Sequence, residues 1–248
     1  MKRYLLIAVG LLFVLALIAE EDNVKEIVNS VDRLYRAESS RGAMEMHIIT
    51  PHWERTLVMN TWSKGKDKTF VRILEPKKEA GTATLRIGDK MWNYLPKTNQ
   101  VVNVPPSMMM SDWMGSDFTN DDLVKESYMV DDYKYELFRP KDAEEGKLYI
   151  KLTPREDLPT VWGKMVLVVR EDDYMPLRQE FYDEGGEKIR TMYFKDIQDM
   201  GGKTIPTTME LIPHNEEGNK TTVTYKDIEF DVSIDDDIFT LRNLKKGR

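Results

Sequence analysis

The chain has 248 residues, with 36 Lys and Arg against 43 Asp and Glu, a formal net charge of −7 and no cysteine. Without cysteine there is no disulfide framework, thiolate metal site or cysteine nucleophile. An acidic balance with no Lys/Arg block excludes nucleic acid as the main partner, and a mean hydropathy of −0.52 excludes a multi-span helical membrane protein.

Lys2 and Arg3 precede an uncharged run from Tyr4 to Ala19, and Glu20-Glu21-Asp22 then opens a polar stretch. A basic start, a short apolar run and a small residue at Ala19 describe a secretory signal peptide over residues 1–19, and therefore export. The run is about 16 residues, short of the ~20 that span a bilayer. An uncleaved N-terminal anchor is the alternative. No cysteine follows the run, so the chain carries no lipid-modified N-terminus of its own.

Val24, Ile27, Val28, Val31, Leu34 and Tyr35 then recur at the spacing of one helix face. Asn23 stands where an N-cap belongs, Glu26 completes a capping box, and Gly42 lies past the expected end. Alternating and β-branched runs follow at 44–48, 57–62, 68–74, 82–87, 91–95 and 101–104. Gly88-Asp89-Lys90 supplies one hairpin turn, and Pro105-Pro106 stops the series. The second half gives strands at 133–138, 147–153, 163–170, 176–183, 188–196, 204–213 and 221–231. Their turns are Glu184-Gly185-Gly186, Met200-Gly201-Gly202 and Asn215 to Asn219. Short strands at close spacing predict a large antiparallel sheet or barrel, and the missing strand–helix alternation excludes a doubly wound fold.

Residues 105–127 interrupt this pattern. Pro, Ser, Gly and Asn break the segment into short pieces, with Asn120 placed to cap a turn carrying Leu123 and Val124. It nevertheless holds Met108, Met109, Met110, Trp113, Met114 and Phe118. Such a segment over a concave sheet face is either a fixed plug or a movable cover. No linker composition separates the halves, so residues 20–248 read as a single domain.

Motifs for chemistry are missing. His47, His52 and His214 lack the spacing of a zinc helix. No G-x-S-x-G elbow, Walker loop or G-x-G-x-x-G occurs. Asp112, Asp117, Asp121 and Asp122 lack the pattern of a calcium loop and read as turn formers and caps. Asp235-Asp236-Asp237 reads as a solvated turn. The expectation is therefore no enzyme, no catalytic residue, no metal and no cofactor. What remains is soft apolar surface: methionine adapts to ligands of varying shape, and alternation places Trp92 and Tyr94 on one sheet face.

Trp113-Met-Gly-Ser-Asp-Phe-Thr-Asn-Asp-Asp-Leu123, preceded by Pro105-Pro-Ser-Met-Met-Met110, resembles the outer membrane lipoprotein-sorting proteins of the wider LolA and LolB carrier superfamily. Met91-Trp-Asn-Tyr-Leu-Pro96, Val161-Trp-Gly-Lys164, Met200-Gly-Gly-Lys-Thr-Ile-Pro206, Tyr225-Lys-Asp-Ile-Glu-Phe230 and Asp237-Ile-Phe-Thr-Leu-Arg-Asn-Leu244 extend the likeness over nearly the whole mature chain. The resemblance implies an α+β, predominantly antiparallel fold. Its form would be a curved half-open β-barrel, with the N-terminal helix and short lid helices over its concave face. It implies a periplasmic carrier that shuttles lipid or lipoprotein acyl chains, with an inner-membrane transporter or outer-membrane acceptor as partner. Trp62, Trp92, Met108, Met109, Met110, Trp113, Met114 and Phe118 are the expected cavity lining. An early-strand arginine, Arg55, Arg72 or Arg86, would latch the lid. The alternative is an envelope sensor or transporter accessory module on the same fold, without releasable cargo.

Overall fold

The structure is a computed structural model that describes residues 23–124, 129–156, 158 and 160–246. The expected signal peptide lies outside the described residues. Among those described, no helix is long and apolar enough to cross a membrane. Helix α1 occupies residues 23–33. Asn23, expected as its N-cap, is already helical. The chain is extended again from Ser39, so Gly42 lies within a strand rather than beyond a helix end. A Cβ at Gly42 would stand 2.7 Å from the Asp227 carbonyl oxygen of the neighbouring strand, beside a bulge at Ala43/Met44. Close backbone approach explains this glycine.

All thirteen strands form where β-formers alternate. The first arm is β1 (Ser39–Ile49), β2 (Glu54–Lys64), β3 (Lys68–Glu75), β4 (Ala83–Ile87), β5 (Lys90–Leu95) and β6 (Gln100–Val104). The second is β7 (Tyr133–Phe138), β8 (Lys147–Pro154), β9 (Lys164–Arg170), β10 (Pro176–Tyr182), β11 (Lys188–Met200), β12 (Lys203–Pro213) and β13 (Lys220–Phe230). They make one open antiparallel sheet in the order β6-β5-β4-β3-β2-β1-β13-β12-β11-β10-β9-β8-β7. Each arm is a meander of sequence neighbours. The arms meet only where β1 pairs β13, from Ser40↔Phe230 to Ile49↔Lys220. Gly201 and Gly202, at φ 60° and 80°, make the two-residue turn between β11 and β12, as a primed hairpin turn requires.

β6 and β7 are the two edges of the sheet, yet they are consecutive in the chain. The connection over 105–132 must therefore pass from one edge to the other, and it does so across the concave face. It covers a cluster of Met46, Ile48, Leu57, Met59, Val71, Ile73, Met91, Leu211 and Val223, into which it inserts Trp113 and Phe118. Helix α1 covers the other arm. Its Val24, Ile27, Val28 and Val31 pack with Ile150, Leu152, Met165, Leu167, Val169 and Phe181. On the opposite face of β3–β5, the C-terminal residues Ile234, Phe239 and Leu244 pack on Phe70, Ala83, Leu85 and Tyr94. Thr240 caps the short C-terminal helix at Leu241–Leu244, its hydroxyl accepting from the Asn243 N–H.

Ile27 is fully buried between α1 and the sheet. Ile27→Ala is expected to lower the unfolding free energy by about 2–5 kcal/mol, measured by urea titration. A loss below 0.5 kcal/mol would show that α1 is not docked.

Candidate functional site

The crossing segment is built from local rules. Prolines 105 and 106 lack the N–H that would continue the edge strand, and a single turn at Pro106–Met108 follows. An isolated bridge between Asp112 and Thr119 closes a loop whose tip is Met114 and Gly115, at φ 54° and 72°. Thr119 then caps the short helix α2 (Asn120–Val124). Its hydroxyl accepts from the Asp122 N–H at 3.1 Å, while Asp122 Oδ2 accepts from the Thr119 N–H at 2.8 Å, a reciprocal capping box. Asn120, expected as the cap, is instead the first helical residue. Its amide donates to the carbonyls of Met108 and Ser111. Helix α3 (Met129–Asp132) leads into β7. Residues 125–127, and the side chains of Leu123 and Val124, lie outside the described residues.

Four strands hold this segment down. Arg55 on β2 donates to the Met114 carbonyl oxygen, lies 3.6 Å from Glu79 and stacks on Trp53. Thr84 on β4 accepts from Trp113 Nε1 at 3.1 Å. Thr221 on β13 donates to Asp117 Oδ2 at 2.6 Å. Arg190 on β11 grips Asp122 through two bonds of 2.7 Å, one to each carboxylate oxygen. Of the three arginines considered as a latch, Arg55 is the one with a described bond to the segment. Arg72 donates to the Asn243 carbonyl at 2.6 Å and Arg86 to that of Lys66 at 3.1 Å. Sequence reasoning missed Arg190. Its guanidinium carbon lies 4.6 Å from the Trp162 ring centre and 4.4 Å from that of Phe181, so it is buried between two aromatic faces that favour a cation. The only sequence signal for it is an arginine on the inward parity of a strand that also carries Met192 and Phe194.

Beside the anchored loop lies a cavity of about 350 Å³ between the sheet, α1 and the α2–α3 stretch. Six methionines line it: Met44, Met59, Met165, Met192 and Met209 from five strands, and Met129 from α3. Phe118, Phe181, Trp162, Val71, Val223 and Ile228 add apolar wall. Of the eight residues singled out from the sequence, Trp62 and Phe118 border the cavity. The Trp62 ring packs 5.5 Å from that of Phe70 and so also joins the cluster on the opposite face of the sheet. Trp113, Met109 and Met114 pack into the cluster under the loop and so form the plug beside the cavity. Met110 is half-buried, and Met108 is 51% exposed. Trp92 packs with the opposite-face cluster of Phe70, Leu85 and Tyr94. Its alternation partner Met91 takes the concave side, and strand parity forbids both.

The charged groups among the described lining residues belong to the cavity's cover. Asp32 of α1, with a side chain 1% exposed, pairs with Arg36 at 3.1 Å and accepts from the Val130 N–H at 3.2 Å. It thereby ties α1 to α3. Burial pushes its carboxyl from the ordinary 3.8 up to about 6, against the opposing pull of Arg36 and the Val130 N–H. Tyr133 is pushed up to about 12, first by burial, with the carboxylates of Asp132, Asp121 and Asp122 adding to the rise and a bond with Thr160 opposing it. Among the described residues no group of three or more His, Asp and Glu is placed to hold a metal ion.

This open, curved antiparallel sheet has counterparts among solved structures. Three solved structures share it. A DUF1329 family protein from Desulfovibrio piger superposes with a TM-score of 0.79 at 24% identity, covering 91% of this chain and 99% of that one. A protein domain from Vibrio parahaemolyticus described as outer membrane lipoprotein-sorting gives 0.78 at 24% identity, over 91% and 100%. A LolA superfamily protein from Nitrosomonas europaea gives 0.75 at 23% identity, over 89% and 98%. No curated protein matches the chain. A family model whose description reads "uncharacterized protein" matches residues 65–246, and the chain belongs to that family.

Two outcomes test the cover. Arg190→Ala leaves Asp122 without its buried partner and is expected to cost about 3–5 kcal/mol in chemical denaturation; a loss below 1 kcal/mol would remove Arg190 as an anchor. Asp32 holds its proton more tightly folded than unfolded. The stability this contributes is complete below pH 3.8 and is lost as pH rises through 6. Between pH 3.5 and 7 the wild type should lose about 3 kcal/mol relative to Asp32→Asn. Parallel pH profiles of the two proteins would contradict this.

Proposed function

We propose that residues 20–248 act as one exported domain that binds lipid or lipoprotein acyl chains in the covered cavity and carries them through the periplasm without covalent chemistry. The observation that carries this reading is the cavity itself: five thioethers on the sheet floor and a sixth from α3, beneath a roof fixed at separate points. Burying a methylene group there stabilises the complex by roughly 0.8 kcal/mol, so a chain several carbons long needs no polar anchor to be retained. Release then depends on a partner or on movement of the roof. Methionine suits such a floor because an unbranched, polarizable side chain repacks around chains of different shape.

The fold shared with the Vibrio and Nitrosomonas structures supports the general kind of protein. Trp62 and Phe118 stand as direct ligand contacts, with Met59, Met192 and Met209 added. Met109, Trp113 and Met114 act by holding the plug in place. Met108, Met110 and Trp92 are not assigned a contact.

Protein purified from a membrane-containing host is expected to yield lipid on organic extraction and mass spectrometry. Met192→Gln combined with Met209→Gln should reduce uptake of an added fluorescent fatty acid by at least tenfold, with an unchanged circular dichroism spectrum. Empty protein that also takes up neither fatty acid nor lipopeptide would overturn the reading. A stable protein partner without lipid would favour an envelope interaction module instead.

A further inference from the structure

The floor of the cavity changes character along the strands. Met44 of β1 lies opposite Met59 of β2, which in turn lies opposite Ile73 of β3. The next row on the same face is Gly42, Thr61 and Val71. The row after that is Ser40, Ser63 and Thr69. Three adjacent strands therefore pass together from apolar side chains to hydroxyls, and Ser40, Thr61, Ser63 and Thr69 all line the cavity. All four are half-buried. Ser40 Oγ and Ser63 Oγ lie 2.8 Å apart, so one hydroxyl hydrogen joins them and the other is left to donate. Among the described residues, no hydrogen bond engages the hydroxyl of Thr61 or of Thr69. Gly42 adds no side chain beside Thr61 in the middle row.

We infer that this hydroxyl row is a subsite for the carbonyl oxygen of an acyl ester, with the acyl chain running from it over the methionine rows. This rests on the lipid-binding reading above and names the group of the ligand that the cavity recognises. Donors set at the border of an apolar floor fit a strong acceptor joined directly to a hydrocarbon chain, and an ester carbonyl is one. The hydroxyls also fix direction. A chain entering the other way round would lay methylene groups on them and leave donors unpaired in a space that the ligand has closed to water, which costs free energy. The methionine rows hold any apolar chain, whereas the hydroxyls distinguish an acyl chain from an alkyl one.

The test uses the full chain and two uncharged probes below their micelle concentrations, monomyristoylglycerol and the tetradecyl ether of glycerol. They share the glycerol head and the number of chain carbons, and differ by a carbonyl in place of a methylene group. Charged residues around the cavity therefore act alike on both. Each competes with a fluorescent fatty-chain reporter. A purely apolar floor would favour the ether, because burial of the extra methylene is favourable. The wild type is expected to bind the ester about fivefold more tightly than the ether. Thr61→Val combined with Thr69→Val keeps the side-chain shape and should abolish that preference without weakening the ether. Ser63→Ala, a single smaller change, should reduce it, with the fold of both variants checked by circular dichroism. Equal binding of the two probes by the wild type, or tighter binding of the ether, would overturn the proposal while leaving the lipid-binding reading intact. So would an ester preference that survives in both variants. Failure of both probes to bind would instead sink the lipid-binding reading.

Discussion

The molecule depends on one topological constraint. Two meanders meet at the β1–β13 seam, which leaves consecutive strands β6 and β7 on opposite edges of a thirteen-stranded sheet. The chain must then cross the concave face, and every functional feature follows from that crossing. Its first part fills one side of the concavity with Trp113 and Phe118. Beside that plug the cavity lies under α1 and the described residues of α2 and α3. The plug supplies the packing that stabilises the roof, and the unfilled remainder supplies the space.

The roof is fixed by directional interactions rather than by apolar burial alone. Arg55, Thr84, Thr221 and Arg190 come from four different strands and reach four positions along the loop. Their targets are spaced so that no single rupture frees the segment. Asp122 joins two of these systems: it closes the capping box with Thr119 and receives the Arg190 fork. Losing it would fray α2 and detach its anchor together, because one carboxylate terminates the helix and holds it to the sheet. Asp32 has the parallel role between α1 and α3. The α1–α3 contact therefore changes in strength with pH.

Much of the fold was legible because sheet alternation and turn glycines are local signals. All thirteen strands fall within a few residues of their expected positions, and the α1 stripe is buried as its spacing required. The candidate site was only partly legible. Methionines do line the cavity, but the obvious run at 108–110 drew attention from Met44, Met59, Met165, Met192 and Met209, which are scattered over five strands and meet only after the sheet curves. No local pattern marks them. Trp92 illustrates a different limit: parity fixes that it shares a face with Tyr94, but which face is concave depends on the C-terminal segment that covers the other side. Arg190 needed a partner 68 residues away before its role could be seen.

An open sheet also exposes two unpaired borders, each a template on which another chain could add a strand. β6 and β7 are among the shortest strands of the fold, at 5 and 6 residues. Pro105 and Pro106 end pairing at the first border, and Lys134 and Glu136 stand exposed along the second. A closed barrel would need no such protection, but it would have no mouth. The proline pair and the charged border therefore belong to the open architecture itself: they guard the borders that a sheet which never closes must leave bare.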